Sequence, residues 1–253
     1  TPGGPARWGV LSSGLVLLAL IVPIPPGAAG APVRGLTEGL ALSRVYELVY
    51  DADFAAADAE LTRACGPAPD QACDVIGAAA LWWRLYFDLD DRRGDQVFLS
   101  RITRVIERGE QWVAREPERA EAWFYLGAAY GSRVQFHAQR NEFLAAARDG
   151  KRIKVSLERA LVLDPALYDA NVGVGLYQYY ADIAPAVLKL LRWLMNLPGG
   201  DKVQGLQRVF RTRDQGLLLR SEAAYQLHLI HLWYEHQPDR ALALLDELHA
   251  RYP

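Results

Sequence analysis

Three prolines at equal spacing constrain the fold of this chain more than any other feature of its sequence. Pro69, Pro117 and Pro165 are separated by 48 residues each. Ten positions after each proline comes a small residue, namely Ala79, Gly127 and Gly175. Regular spacing of this kind indicates internal repeats, in which each unit buries its apolar face only by stacking on a neighbour. The sequence therefore predicts a repeat architecture.

The middle repeat has a recognisable motif. Trp123, Leu126, Gly127 and Tyr130 follow the spacing W-x2-L-G-x2-Y. This spacing resembles the first-helix signature of the tetratricopeptide-repeat (TPR) family. Residues typical of the second helix recur at Ala57, Leu61, Ala64 and Pro69, at Ala160 and Pro165, and at Ala241, Leu245 and Pro253. The resemblance covers about residues 37–253 and implies an all-α fold, a right-handed α-solenoid of antiparallel helix hairpins.

The motif residues have packing roles in this interpretation. We expect Ala79, Gly127 and Gly175 to allow two paired helices to approach closely, because no long side chain separates them. Large side chains then fill the space around each close contact. In the middle repeat we assign that role to Trp123, Leu126 and Tyr130.

The repeats are longer than the family period of about 34 residues. The excess equals two heptads, and seven added residues return a helix to nearly the same face. We therefore predict helices of about 20 residues. The expected repeats span about 36–69, 70–117, 118–165, 166–213 and 217–253. The expected helices after the first repeat are Pro69–Asp88, Asp95–Arg115, Glu118–His137, Glu142–Leu163, Ala186–Leu197, Lys202–Thr212, Leu217–His236 and Pro238–Arg251.

The N-terminal residues 1–31 differ from the rest of the chain. Arg7 precedes an apolar run from Trp8 to Val22, which prolines and small residues follow. This layout is typical of a secretory signal peptide, with cleavage favoured after Ala29. An uncleaved membrane anchor through residues 8–24 is the alternative, although the run is short for a spanning helix. Either interpretation predicts an exported protein, in the periplasm or elsewhere in the cell envelope.

The two cysteines, Cys65 and Cys73, lie close together in the sequence. In an exported chain this arrangement favours a disulfide over two separate thiols. Closure of a loop of about nine residues would stabilise the fold by about 2.5 kcal/mol. A metal site would need two further ligands, and none lies nearby in the sequence.

The charge balance argues against a nucleic-acid partner. The chain has 253 residues, with 28 Lys and Arg against 30 Asp and Glu, and a formal net charge of -2. Such a chain lacks the basic field that holds a phosphate backbone. Its 7 Trp and 12 Tyr also exclude a disordered chain.

No assembled catalytic or metal-binding set emerges from the sequence. His228 and His231 share one helix face, but no third ligand is placed beside them. The acidic segment Asp88–Asp91 fails as a calcium loop, because arginines stand where oxygen ligands belong. The segment Pro198–Lys202 lacks the spacing of a phosphate-binding loop. We therefore expect a protein that is not an enzyme and has no cofactor and no metal.

The family resemblance implies a binding groove on the concave face of the solenoid. Its usual groove positions correspond here to Trp83, Arg84, Ser132, Arg133, Tyr179 and Tyr180. Aromatic residues beside arginine are typical of protein-binding hot spots. The alternative is that the aromatic members are core residues of long helices. The expected function is a non-catalytic protein–protein interaction scaffold that binds another envelope or membrane protein, or a peptide of it, in this groove.

Two other functions remain open from the sequence. The chain could be an accessory subunit of a membrane protein complex, held by an uncleaved N-terminal helix. It could also be the docking module of a larger enzyme.

Overall fold

The all-α prediction is confirmed for the part of the chain that the structure describes. The structure is a computed structural model and describes residues 34–186, 189 and 198–252. Every regular element within these residues is a helix, and none is a strand. The predicted signal or anchor segment, most of the predicted helix Ala186–Leu197, and Pro253 lie outside the described residues.

The described residues form ten α-helices. They are α1 (Gly39–Tyr50), α2 (Phe54–Ala64), α3 (Asp70–Tyr86), α4 (Asp95–Arg115), α5 (Ala120–Gln139), α6 (Phe143–Leu163), α7 (Ala170–Ile183), α8 (Lys202–Gln215), α9 (Arg220–Leu229) and α10 (Pro238–Arg251). A π-helical turn, Ile230–Tyr234, extends α9.

The long helices have the lengths that the 48-residue spacing predicts. Helices α4, α5 and α6 contain 21, 20 and 21 residues. Local signals explain several of their boundaries. Asp201 caps α8, since its Oδ1 accepts hydrogen bonds from the backbone N–H groups of Val203 and Gln204, both at 3.0 Å. Pro238 begins α10, where the missing N–H has no cost.

Consecutive helices pack against each other along the chain, and α1, α3, α5 and α7 also contact one another in series. Aromatic side chains fill much of the space between them. The largest fully buried side chains include Trp82, Trp112, Phe98, Phe124 and Phe136. The rings of Phe98 and Phe136 lie 5.2 Å apart, which joins α4 to α5.

The C-terminal helices fold back onto the first helices of the described chain. Leu217 packs on Gly39, where an added Cβ would lie 2.8 Å from the leucine Cδ2. The rings of Tyr50 and Tyr252 stack at 5.6 Å, and Arg251 forms an ion pair with Glu47. The first and last described helices are therefore in contact.

Buried carboxylates hold two connecting segments in place. Asp169 accepts hydrogen bonds from the backbone N–H groups of residues 217–219, the shortest at 2.7 Å. The fully buried Glu121 accepts from the backbone N–H of Thr37 at 2.7 Å. Asp164 accepts from the N–H of Gly35 at 2.8 Å. These contacts fix the segment before α1 and the turn before α9.

The predicted disulfide between Cys65 and Cys73 is confirmed. The two Cα atoms are 5.8 Å apart, and no cysteine is free. The bond joins the residue after α2 to the first turn of α3.

Candidate functional site

Trp83, at one end of the predicted groove, is covered by the C-terminal part of the chain. Its ring is half-buried and lies 5.0 Å from Tyr50, 5.4 Å from Tyr86 and 5.5 Å from Tyr225. Tyr225 belongs to α9, and its hydroxyl lies 3.0 Å from that of Tyr86. Trp83 is therefore part of an aromatic cluster between helices.

The two groove arginines are held by carboxylates of this chain. Arg84 donates hydrogen bonds to Asp58 Oδ2 at 2.6 Å and to the carbonyl of Phe54 at 3.0 Å. Arg133 forms a two-point ion pair with the buried Asp149, at 2.6 and 2.8 Å. The hydroxyl of Ser132 donates to the carbonyl of Ala128, one turn earlier in α5.

Tyr179 and Tyr180 lie at the other end of the predicted groove. Tyr179 is fully buried and donates a hydrogen bond to Glu235 Oε1 at 2.6 Å. Burial and this bond raise the pKa of Tyr179, and the same bond lowers the pKa of Glu235. Tyr180 is half-buried against Tyr179 and Tyr234, with ring distances of 5.4 Å to each.

One segment, residues 220–235, therefore contacts both ends of the predicted groove. It also contacts the middle, where Gln135 donates to the buried Glu222 at 3.0 Å and accepts from Trp82 Nε1 at 2.7 Å. A row of stacked repeats would place the last hairpin at its end, whereas α9 contacts α1, α3 and α5. Tyr179 has no exposed surface to offer a partner, and partner binding by the other groove residues stays a prediction.

A surface cleft lies beside α5, between α4 and α6. It encloses about 610 Å³ and is open to solvent. Its apolar and aromatic lining consists of Val113, Trp123, Leu126, Tyr130 and Val155. Its polar and charged lining consists of Glu110, Arg148, Lys151, Arg152 and Ser156.

Tyr130 is the centre of the polar network in the cleft. Its hydroxyl donates to Glu110 Oε1 at 2.5 Å and accepts from Arg152 Nη1 at 3.2 Å. The guanidinium carbons of Arg133 and Arg152 lie 5.4 and 5.2 Å from its ring centroid. Burial, followed by the bond to Glu110, raises the pKa of Tyr130 to about 12. The hydroxyl therefore stays protonated and remains a donor at neutral pH.

The three basic side chains in the cleft belong to α6. Neither Arg148 nor Arg152 forms an ion pair with a carboxylate in the described part of the chain. By contrast, two other basic residues of α6 form ion pairs: Lys154 pairs with Glu158, and Arg159 pairs with Glu118. Arg148 and Arg152 thus bring positive charge to the cleft that no carboxylate of the described residues pairs with.

The motif residues of the middle repeat form the wall and floor of this cleft. Trp123 is half-buried, and its Nε1 donates to the carbonyl of Pro117 at 2.8 Å, which fixes the ring. Leu126 and Tyr130 are buried beside it. Gly127 faces Leu157, whose Cδ2 would lie 2.5 Å from an added Cβ.

The other two small positions also lie in contacts between helices. Ala79 is buried in α3. Gly175 of α7 faces the backbone of α8, and an added Cβ would lie 2.6 Å from the carbonyl oxygen of Gly205. Both positions have the close surroundings expected of a small residue.

The histidines and the described helices show no metal-binding or membrane-spanning arrangement. His228 and His231 are buried, and burial lowers the pKa of both. No group of three or more His, Cys, Asp or Glu residues in the described ranges could hold a metal ion. Within the same ranges, no helix has both the length and the apolar character to cross a membrane.

The basic side of the cleft was not among the site residues predicted from the sequence. Arg148 and Arg152 are one helical turn apart in the sequence, which signals a shared face. Their position opposite Tyr130 depends on how α5 and α6 pack, and neither helix alone specifies it.

The chain matches no protein-family model, and neither a curated protein nor a solved structure is significantly similar to it.

Proposed function

We propose that this chain is a non-catalytic protein–protein interaction scaffold of the cell envelope. The observation that carries the proposal is the cleft between α4, α5 and α6, in which helices hold aromatic and apolar side chains beside Arg148 and Arg152, two arginines that pair with no carboxylate of the described residues. Aromatic and arginine side chains that converge in a concave site are typical of protein-binding surfaces. Helices also position such groups more firmly than loops do.

A TPR-like superhelix is the architecture that we propose for this scaffold. The series of contacts among α1, α3, α5 and α7 supports it, because the first helices of successive hairpins contact each other in such arrays. The proposed right-handed solenoid would end where α9 folds back across these helices.

The proposed location in the cell envelope rests on two features. The disulfide Cys65–Cys73 is typical of oxidising compartments. The sequence of residues 1–31 has the layout of an export signal or anchor.

Site-specific crosslinking tests the proposal. A photo-crosslinking amino acid replaces Val155 in the cleft in one variant and Leu242 on α10 in another. The two side chains are similarly exposed, at 54% and 58%. We expect a discrete crosslinked partner in envelope fractions from position 155 and none from position 242. Identical crosslinking patterns from the two positions would contradict the proposal.

A further inference from the structure

The chemistry of the cleft specifies the kind of ligand that fits it, provided that the proposed binding function holds. We infer that the cleft between α4, α5 and α6 takes an extended acidic segment of a partner protein, with carboxylates at alternate positions and an apolar residue beyond them. Three features of the cleft lead to this inference: its charge, its apolar floor and the spacing of its arginines.

The charge of the cleft favours an anionic ligand. Arg148 and Arg152 line the cleft with one acidic residue, Glu110, whose Oε1 already accepts from the Tyr130 hydroxyl. A carboxylate that enters would meet guanidinium groups without a carboxylate partner in the described chain. Arginine binds carboxylates with two parallel hydrogen bonds, which adds geometric specificity to the attraction.

The apolar floor favours a peptide over a bare anion. Val113 and Val155 lie beside the basic groups, with the ring of Trp123 on the same lining. A small inorganic anion would leave this apolar surface exposed to water, whereas a peptide side chain would cover it. A volume of about 610 Å³ accommodates several side chains.

The spacing of the arginines favours an extended ligand. Arg148 and Arg152 are four residues apart in α6, or about 6 Å along the helix axis. Alternate residues of an extended chain point to one side and lie about 6.6–6.8 Å apart. Two carboxylates at alternate positions therefore match the two arginines. The next residue on the same side would lie near Val155.

A membrane surface and a nucleic acid fit the cleft less well. The apolar part of the cleft includes Val113, which is buried, and Trp123, which is half-buried, so that a flat bilayer surface would not reach it. A nucleic acid needs a field that extends over many phosphates, and this chain has a formal net charge of -2.

Fluorescence anisotropy with labelled peptides and the full chain tests the inference. The probe peptide carries glutamates at two alternate positions and a leucine two positions further. A second peptide has the same composition with adjacent glutamates, and a third replaces the glutamates with lysines. We expect the probe to bind at least about fivefold more tightly than the adjacent-glutamate peptide, and the lysine peptide not to bind.

Charge reversal locates the binding site. Arg148→Glu and Arg152→Glu should each weaken binding of the probe by about tenfold or more, which corresponds to about 1.4 kcal/mol. Arg211→Glu, on the exposed face of α8, changes the net charge equally and should leave binding unchanged. Arg148 makes no hydrogen bond or ion pair within the described chain, so its substitution should not impair folding, which thermal unfolding checks.

The possible results of these experiments test the proposed ligand and the proposed scaffold function separately. Equal binding of the two acidic peptides, or equal loss in the Arg211 variant, would overturn the inference. Binding of phosphatidylglycerol vesicles or inorganic phosphate with no binding of the probe would also overturn it. A partner crosslinked at position 155 with no peptide binding would leave the scaffold function standing and remove the acidic segment. Specific peptide binding without any crosslinked partner would support the inference and argue against the envelope partner.

Discussion

At the scale of single residues, the surroundings of a glycine decide whether its replacement by alanine stabilises or destabilises the fold. Gly127 and Gly131 belong to the same helix, α5, but their surroundings differ. An added Cβ at Gly127 would lie 2.7 Å from Leu157 Cγ, whereas at Gly131 it would meet no atom within 4 Å. The same substitution should therefore have opposite effects at the two sites.

Gly127→Ala should lower the free energy of unfolding by about 1–2 kcal/mol, because overpacking against Leu157 outweighs the gain in helix propensity. Gly131→Ala, the matched control, should raise it by about 0.5–1 kcal/mol. Urea unfolding of the purified variants measures both values. A stabilising effect of Gly127→Ala would mean that α5 and α6 are not in close contact there.

Glu235, a carboxylate at the end of the predicted groove, makes the free energy of unfolding depend on pH. Glu235 accepts hydrogen bonds from Tyr179 and Lys202, which lower its pKa in the folded state from 4.5. The unfolded chain then binds more protons in the window just below pH 4.5 than the folded chain does. The stabilisation from Glu235 is therefore present above that window and is lost as the pH falls through the folded pKa.

Glu235→Gln should make the free energy of unfolding less dependent on pH between 6 and 3 than it is in the wild type. The difference between the two proteins isolates this group from other titrating residues, including His228 and His231. Unfolding by urea at a series of pH values measures it. Parallel curves for the two proteins would show that Glu235 is not bonded as described.

At the scale of elements, connections between helices are held by specific polar or covalent contacts. The turn before α9 depends on Asp169, whose burial raises its pKa while three backbone N–H donors oppose that shift. The connection from α2 to α3 depends on the disulfide between Cys65 and Cys73. Each contact determines where the following helix begins.

Removal of the disulfide should lower the free energy of unfolding by about 2.5 kcal/mol, because the unfolded chain regains the freedom of a short loop. At this chain length that loss corresponds to a fall of about 5–10 °C in melting temperature. Thermal unfolding of the wild type with and without dithiothreitol measures the effect. The double variant Cys65→Ser and Cys73→Ser should match the reduced wild type and should not respond to dithiothreitol.

At the scale of the whole molecule, α9 contacts three helices that come much earlier in the sequence. Tyr225 contacts Trp83 and Tyr86 of α3, while Glu222 contacts Tyr50 of α1 and Gln135 of α5. An open row of repeats has no such contacts, because each unit touches only its neighbours. The stability of the first helices should therefore depend on a residue far away in the sequence.

Tyr225→Ala should lower the free energy of unfolding by about 2–4 kcal/mol, because it removes aromatic contacts and a hydrogen bond at the junction with α3. Trp233→Ala is the matched control, since Trp233 is 67% exposed on the adjoining π-helical turn and should change stability by no more than about 0.5 kcal/mol. Thermal unfolding followed by circular dichroism compares them. Equal stability of the two variants would contradict the contact between α9 and α3.

The helical class, the long helices α4–α6 and the disulfide could be predicted from the sequence. These features depend on local information: proline and glycine positions, apolar periodicity, and two cysteines close together in a chain that the sequence predicts to be exported. The small residues Gly127 and Gly175 were also identified from the sequence, because the repeat motif predicts close approach at those positions.

The faces of the helices that remain exposed could not be predicted, because they depend on how the helices pack. Tyr179 belongs to a predicted groove face, but Glu235 and Tyr234 from the returning C-terminal segment cover it. Arg148 and Arg152 are ordinary surface residues until α6 packs beside α5, which brings both to the cleft that Tyr130 lines. Periodicity specifies the apolar side of each helix, whereas exposure depends on contacts between residues far apart in the sequence, which no local pattern encodes.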